Sequence, residues 1–236
     1  MVAPTQHPAS FVLCLLFWCN VVVWTQPVEE LYKQCPSGQV AVQHNTRMPE
    51  SNGCSKPAGI SLLGEEDFTF CCDLHDVCYE TCSADKQYCE NEFSKCLQNL
   101  CRTAFANNKD CPQAAQMYAM GTTMFGSGEF AKSQEEFCEC VPREDVRPHY
   151  ASLVERFYQA HARDKAGEWG HDDESGPWRI DKYLKDYKAK DGGKRSQLAR
   201  VAKLHYALHK RYPEAILHVG SRKGRRPPRS RAKDEL

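Results

Sequence analysis

The sequence predicts a mainly α, disulfide-rich domain built on two antiparallel, cross-linked helices, followed by a helical and partly disordered basic region. Three observations predict it. Cysteine is dense and ends at Cys140. Cysteine and apolar residues within that part fall at helical spacing in two successive stretches. Charge then changes sign along the chain: residues 27–141 hold 17 Asp+Glu against 8 Lys+Arg, and residues 142–236 hold 14 against 23. The net charge of zero therefore hides an acidic half and a basic half.

Both ends carry targeting signals. Phe11 to Trp24 (FVLCLLFWCNVVVW) is apolar and uncharged, about the length of a signal-peptide core and short of the roughly 20 apolar residues of a membrane span. Residues 1–25 are read as a signal peptide with cleavage near Thr25, an N-terminal membrane anchor being the rival. The last residues, Lys233-Asp234-Glu235-Leu236, spell KDEL, an address read by a receptor that returns proteins to the endoplasmic reticulum. The expected location is the endoplasmic reticulum lumen, within the secretory pathway, and the KDEL receptor is an expected partner.

Cysteine usage agrees with an oxidising compartment. Of 14 cysteines, Cys14 and Cys19 belong to the leader, and the remaining even set reads as a disulfide framework of up to six bridges. Spacing does not decide how they pair. A zinc site using Cys71, Cys72 and His75 is the alternative, disfavoured because an oxidising lumen removes the thiolates zinc needs.

The organisation follows. Residues 27–141 form the disulfide-rich domain. Its first stretch, Cys35 to about Gly64, is turn chemistry: Pro36-Ser37-Gly38, Asn52-Gly53, Pro57-Ala58-Gly59. Cys71, His75, Cys78 and Cys82 then fall at i, i+4, i+7 and i+11, one stripe of a helix, and Cys89, Phe93, Cys96 and Leu100 repeat the spacing. Ser83 to Tyr88 is a polar connection between them. A third helical segment is expected at about Gln113 to Phe125, although it contains Gly121. Residues 142–219 form a charged helical region of unassigned role, with helices expected over Tyr150–Arg163 and Ser196–Tyr212. Residues 220–236 are a basic tail ending in KDEL.

The chemistry sits in Cys71-Cys72-Asp73-Leu74-His75-Asp76-Val77-Cys78. Neighbours on a helix point about 100° apart, so His75 and Asp76 can hold different partners: the imidazole a water, the carboxylate a cation. A neutral histidine with a pKa near 6.5 suits general-base work at lumenal pH. Calcium takes roughly 6–8 oxygens, which one carboxylate, backbone carbonyls and water can supply. The turn Asn52-Gly53-Cys54-Ser55-Lys56-Pro57 can aim such carbonyls, and a bridge from Cys54 to the helix would hold it close. On local chemistry alone, His75-Asp76 reads just as well as a surface pair with no role.

These residues resemble a family. The run Cys-Cys-x-x-His-Asp-x-Cys, then Tyr-Glu-Thr-Cys, then Cys-x-x-x-Phe-x-x-Cys-Leu, is similar to the secretory phospholipase A2 superfamily, and most to its group XII type. The likeness covers about residues 32–140. It implies a phospholipase A2-like catalytic domain with a calcium loop, in which His75 activates water against the sn-2 ester of a glycerophospholipid. It implies that Ca2+ is held by Asp76 with the carbonyls of Gly53, Ser55 and Pro57. It also implies that Tyr79 bonds the carboxylate orienting the imidazole. That carboxylate departs from the pattern: the family usually has Asp after the first cysteine of the second helix, and here the residue is Glu90, one methylene longer. Ser55 stands where glycine is common.

The expected activity is therefore calcium-dependent phospholipid hydrolysis at a phospholipid membrane surface. The alternative is a phospholipase-like lipid- or protein-binding protein with low turnover, which Glu90 motivates. The basic residues from Arg222 to Lys233 suit anionic lipid; the bland reading is a solvated spacer that presents KDEL. Nucleic acid is not expected as a partner, because the tail lacks interleaved aromatics.

Overall fold

Two helices tied side by side organise everything near the site. In the computed structural model, α1 (Thr69–Glu80) and α2 (Lys86–Thr103) are joined by the disulfides Cys71–Cys96 and Cys78–Cys89. Early with late and late with early is an antiparallel pairing, as the spacing predicts. Residues 31–54, 68–162 and 195–219 are described. The expected signal peptide, the basic tail with KDEL, and Ser55 and Pro57 lie outside them.

All twelve cysteines among the described residues are paired, the remaining bridges being Cys35–Cys140, Cys54–Cys72, Cys82–Cys138 and Cys101–Cys111. Among the described residues no thiolate is left for zinc. Each bridge constrains the unfolded chain and is typically worth about 2–4 kcal/mol. One detail of the sequence reading is corrected. Cys82 is not on the stripe of α1, because the helix ends at Glu80; Cys82 lies in the following turn and reaches Cys138.

That helix end is capped in a way no periodicity announces. The last carbonyls of a helix lack partners within it. Here Gln134 Nε2 donates to Tyr79 O at 2.7 Å and Thr81 O at 3.0 Å, while Gln43 Nε2 donates to Glu80 O at 3.1 Å. Their Oε1 atoms accept the amides of Ser83 and Cys82, each at 2.9 Å. The start of α2 is conventional: Asp85 caps it by accepting from Tyr88 N at 2.9 Å.

The stretch read as turns contains two strands, β1 (Gln39–Gln43) and β2 (Glu50–Ser51). β1 pairs antiparallel with β3 (Cys138–Pro142), where the cysteine-rich part closes. Val40 and Val42 alternate with Gln39, Ala41 and Gln43, but five residues among Pro and Gly are too few for the pattern to stand out. α3 (Cys111–Phe125) forms despite Gly121, with Pro112 in its first turn, where its missing N–H costs nothing. α4 (Ser127–Phe137), absent from the sequence reading, follows after Gly126 and brings Gln134 to the cap.

The basic half packs back on the acidic one. α5 (Val146–His161) and α6 (Arg195–Arg211) bury Val154, Leu204 and Leu208 against each other. Tyr206 and Ile216 enter the core built by Leu74, Val77 and Phe130. β4 (Leu217–His218) then pairs parallel with β2.

His205 and His209 are buried between these layers, with ring centroids 4.5 Å apart. Burial pushes both below the usual imidazole range, His209 to about 4. In the unfolded chain each takes up its proton near 6.5. Between about pH 6.5 and 4 the unfolded chain thus binds more protons than the folded one, and stability falls with falling pH. Amide exchange in α6, followed from pH 6.5 to 4, is expected to lose protection, and His209→Leu is expected to flatten that dependence.

Candidate active site

α1 carries His75 and Asp76 into one cleft of about 570 Å³, also lined by Gly53, Phe93, Thr122 and Val219. The His75 ring is 7 % exposed and lies between Tyr79 and Phe93, with centroids 4.2 and 4.5 Å away. Two aromatic faces leave it little room to rotate. Its Nε2 points at Glu90 Oε2 from 3.4 Å and has no properly directed hydrogen bond among the described residues. The disulfides between α1 and α2 set this approach, since Cys78–Cys89 sits one residue from Glu90.

Glu90 is 4 % exposed. Its Oε1 accepts from Lys86 Nζ at 2.8 Å and from the Tyr79 hydroxyl in a short contact; its Oε2 accepts from Thr122 Oγ1 at 2.6 Å. Burial by itself would raise this carboxyl, but the facing His75 and the bonds from Lys86, Thr122 and Tyr79 outweigh it and hold it down at about 2. An ionised Glu90 favours the proton on Nε2, leaving the lone pair on Nδ1. Burial and the adjacent Glu90 carboxylate keep the Tyr79 hydroxyl protonated, well above the ordinary phenol range.

Tyr79 reaches Glu90 because residue 126 is glycine. A Cβ there would collide with the Tyr79 hydroxyl. Gly126 has φ −76°, so its role is space and not backbone freedom.

Asp76 turns to the other side, toward the chain that leaves β2. Its Oδ2 accepts from Ser51 Oγ at 2.8 Å and from Asn52 N at 3.3 Å. Ser51 Oγ also lies 2.6 Å from Asp73 Oδ1 and accepts Gly53 N at 3.0 Å. Burial pushes the Asp76 carboxyl up to about 7, the bonds from Ser51 and Asn52 opposing it, with Asp73 and Glu129 adding to the rise. Glu80, buried on the same wall, is pushed up to about 9 against the bond it accepts from Glu50 N.

Asp76 beside the Gly53 turn fits the described part of a calcium donor set, Ser55 and Pro57 lying outside the described residues. A carboxylate raised by burial beside further acids is a group that a cation would stabilise in its charged form. Gly53, at φ +74°, adopts the left-handed turn that glycine favours, and Cys54–Cys72 pins the turn to α1. Among the described residues no group of three or more His, Cys, Asp or Glu side chains is arranged to hold a metal. A site of one carboxylate plus backbone carbonyls does not need one.

The structure places His75, Asp76, Tyr79 and Gly53 on one cleft, with Glu90 facing His75 Nε2; the family resemblance, not spacing, names Tyr79, Glu90 and Gly53. Sequence reasoning missed Lys86, Thr122, Ser51 and Gly126. Lys86 was findable, four residues before Glu90 on one helix face. The other three come from distant segments and carry no motif.

Disulfide-braced helices aim a carboxylate at one side of a histidine, with an acid beside it facing a glycine turn. The profile of the Group XII secretory phospholipase A2 precursor family matches residues 29–147, half of the chain. The chain belongs to the group XII secretory phospholipase A2 family. Among its relatives, mouse Group XIIA secretory phospholipase A2 is 31% identical over 116 residues, covering 45% of this chain and 60% of that protein. Mouse Group XIIB secretory phospholipase A2-like protein is 35% identical over 108 residues, 40% of this chain and 55% of that one. Conodipine-P3 of Conus purpurascens is 37% identical over 65 residues, 26% and 35% respectively. The chain thus spans only part of the length of each of these relatives. No solved structure matches it.

Glu90 sets a test of this geometry. Its contribution to stability is present above its unfolded value near 4.5 and is lost as pH falls through about 2. Thr122→Val, which removes one donor, and Gly126→Ala, which displaces another, are each expected to raise the titration midpoint of Glu90, read from the carbon-13 shift of its carboxyl.

Proposed function

We propose that this chain is a calcium-dependent phospholipase A2 that hydrolyses the sn-2 ester of glycerophospholipids in the secretory pathway. The observation that carries the proposal is the buried His75, its Nε2 turned to an ionised Glu90 and its ring on the cleft that Asp76 also lines. In this reading Nδ1 of His75 takes a proton from a water as the water oxygen attacks the ester carbonyl, and returns it to the leaving alkoxide. Glu90 holds the ring in one tautomer and orientation. Tyr79, Lys86 and Thr122 keep Glu90 charged. Asp76 and the Gly53 carbonyl would hold calcium, with Ser55 and Pro57 as further carbonyl candidates. When bound, calcium supplies positive charge to stabilise the developing oxyanion.

A lipid surface as partner has support beside the cleft. α3 places Thr122 and Tyr118 on the cleft and exposes Met117, Met120, Met124 and Phe125, the last two 66% and 78% exposed. A second groove of about 730 Å³ runs between α2 and α3, with Met120 and Met124 among its walls. Apolar side chains in water beside a proposed ester-binding cleft suit contact with acyl chains. Among the described residues no helix is long and apolar enough to cross a membrane. Retention in the endoplasmic reticulum lumen through Lys233–Leu236 and the KDEL receptor, and anionic-lipid contact by the tail, belong to the same proposal.

A second reading, a phospholipase-like binding protein with low turnover, is favoured by one observation: His75 Nε2 meets the longer Glu90 at 3.4 Å without a well-directed bond. One relative, the mouse group XIIB protein, is itself named phospholipase A2-like.

Fatty-acid release from phosphatidylcholine vesicles, with calcium and with chelator, separates the two. The proposal expects calcium-dependent release that His75→Gln lowers by roughly 10²- to 10⁴-fold. Release unchanged by His75→Gln defeats it. Glu90→Asp withdraws the carboxylate by about 1 Å and is expected to cost on the order of 10²-fold if the glutamate is accommodated; a gain in rate supports the low-turnover reading.

A further inference from the structure

The group XII match ends at residue 147, yet the chain beyond it reaches back to the site. β4 pairs with β2 and with no other strand among the described residues. Leu217 N donates to Pro49 O at 2.8 Å, and Val219 N donates to Ser51 O at 2.9 Å. These two bonds bracket the residues that lead directly into the Asn52-Gly53 turn. While the Ser51 carbonyl is held by Val219, its hydroxyl faces Asp76 and Asp73. His218, between the two donating residues, brings its Nδ1 to 3.8 Å from Asp73 Oδ1. Val219 itself lines the cleft with His75, Asp76 and Gly53.

The other end of this segment is anchored beneath α1. Tyr206 and Ile216 pack with Leu74 and Val77, on the helix that carries His75 and Asp76. His205 Nδ1 lies 3.1 Å from Thr81 Oγ1, which donates to Val77 O at 2.7 Å. α6 and β4 therefore grip α1 and the turn facing it at once.

The chemistry of Ser51 shows why such a grip matters. One hydroxyl proton lies between two carboxylates and can be given to only one of them. The His218 ring, 3.8 Å from Asp73 Oδ1, is placed to offset the charge of Asp73, which would favour giving the proton to Asp76. Without the backbone bonds to residues 217 and 219, the tie between the turn and α1 would rest on Cys54–Cys72 and on side-chain contacts alone. Groups that orient a metal ligand from behind typically matter 10- to 100-fold in metal affinity.

We propose that residues 195–219 are a strap that positions the Ser51–Gly53 turn against Asp76, with His218 a positioning residue, and that the strap thereby sets how tightly the site holds calcium. The calcium part rests on the reading under Proposed function; the positioning of the turn does not.

The test uses the full mature chain. Leu217→Pro removes the N–H given to Pro49 at a half-exposed side chain. His218→Ala leaves the backbone untouched, and His218→Asn keeps a donor near the Nδ1 position. Calcium binding is read by calorimetry, the turn by deuterium exchange of residues 49–54 in chelator, and the fold by the thermal midpoint. The strap predicts calcium affinity weakened about 10- to 100-fold in Leu217→Pro and less in His218→Ala, with recovery in His218→Asn. It also predicts faster exchange at 49–54 with little change in midpoint. Exchange and affinity both equal to wild type in Leu217→Pro and His218→Ala overturn it. If wild type binds no calcium while exchange at 49–54 rises in the variants, the strap stands and the calcium-dependent reading fails.

Discussion

A full negative charge at position 90 sits where almost no water reaches, and the packing around it answers that charge. A buried carboxylate without partners would take up a proton. Here Tyr79 comes from α1, Lys86 from the preceding turn of α2 and Thr122 from α3. Three helices must therefore hold their mutual positions for Glu90 to remain ionised. The two disulfides between α1 and α2, and the Cys101–Cys111 bridge between α2 and α3, hold them there. The orientation of the His75 ring follows from this arrangement, because an ionised partner at Nε2 decides which nitrogen can receive a proton.

The opposite edge of α1 works with the reverse electrostatics. Asp76, Asp73 and Glu80 crowd a wall with few cations, and burial raises Asp76 and Glu80 instead of lowering them. One helix thus carries an acid-rich edge suited to a divalent ion beside a histidine whose own carboxylate is already satisfied. Glu90 and the acid-rich edge lie on different sides of α1. The turn at Ser51–Gly53 completes the acidic edge, and the stability of that turn is shared between a disulfide and the chain from beyond the family match.

The division into an acidic and a basic half is real in composition but does not describe how the molecule packs. α6 and β4 belong to the basic half and yet share a core with α1. The buried contacts are apolar rings and aliphatic side chains, Tyr206 and Ile216 on Leu74 and Val77. Outside that core, Lys210 Nζ lies 3.9 Å from Glu92 Oε2 across the two halves.

Taken alone, the sequence determined whatever depends on short spacing. Cysteines at i, i+4 and i+7 placed His75 on a helix and implied its partner helix, and adjacency fixed that His75 and Asp76 would face different ways. The resemblance of the Cys-Cys-x-x-His-Asp-x-Cys run supplied the roles of Glu90, Tyr79 and Gly53. Six bridges were countable, but not their pairing, because many foldings bring cysteines together. Only the tertiary structure decided that Ser51 and Thr122 serve the two carboxylates, that Gly126 clears space for a hydroxyl, that Gln43 and Gln134 cap α1, and that residues 217–219 clasp the turn. Each of these joins residues far apart in the chain, where a single serine, threonine or glutamine looks like any other until packing removes the water it would otherwise bond.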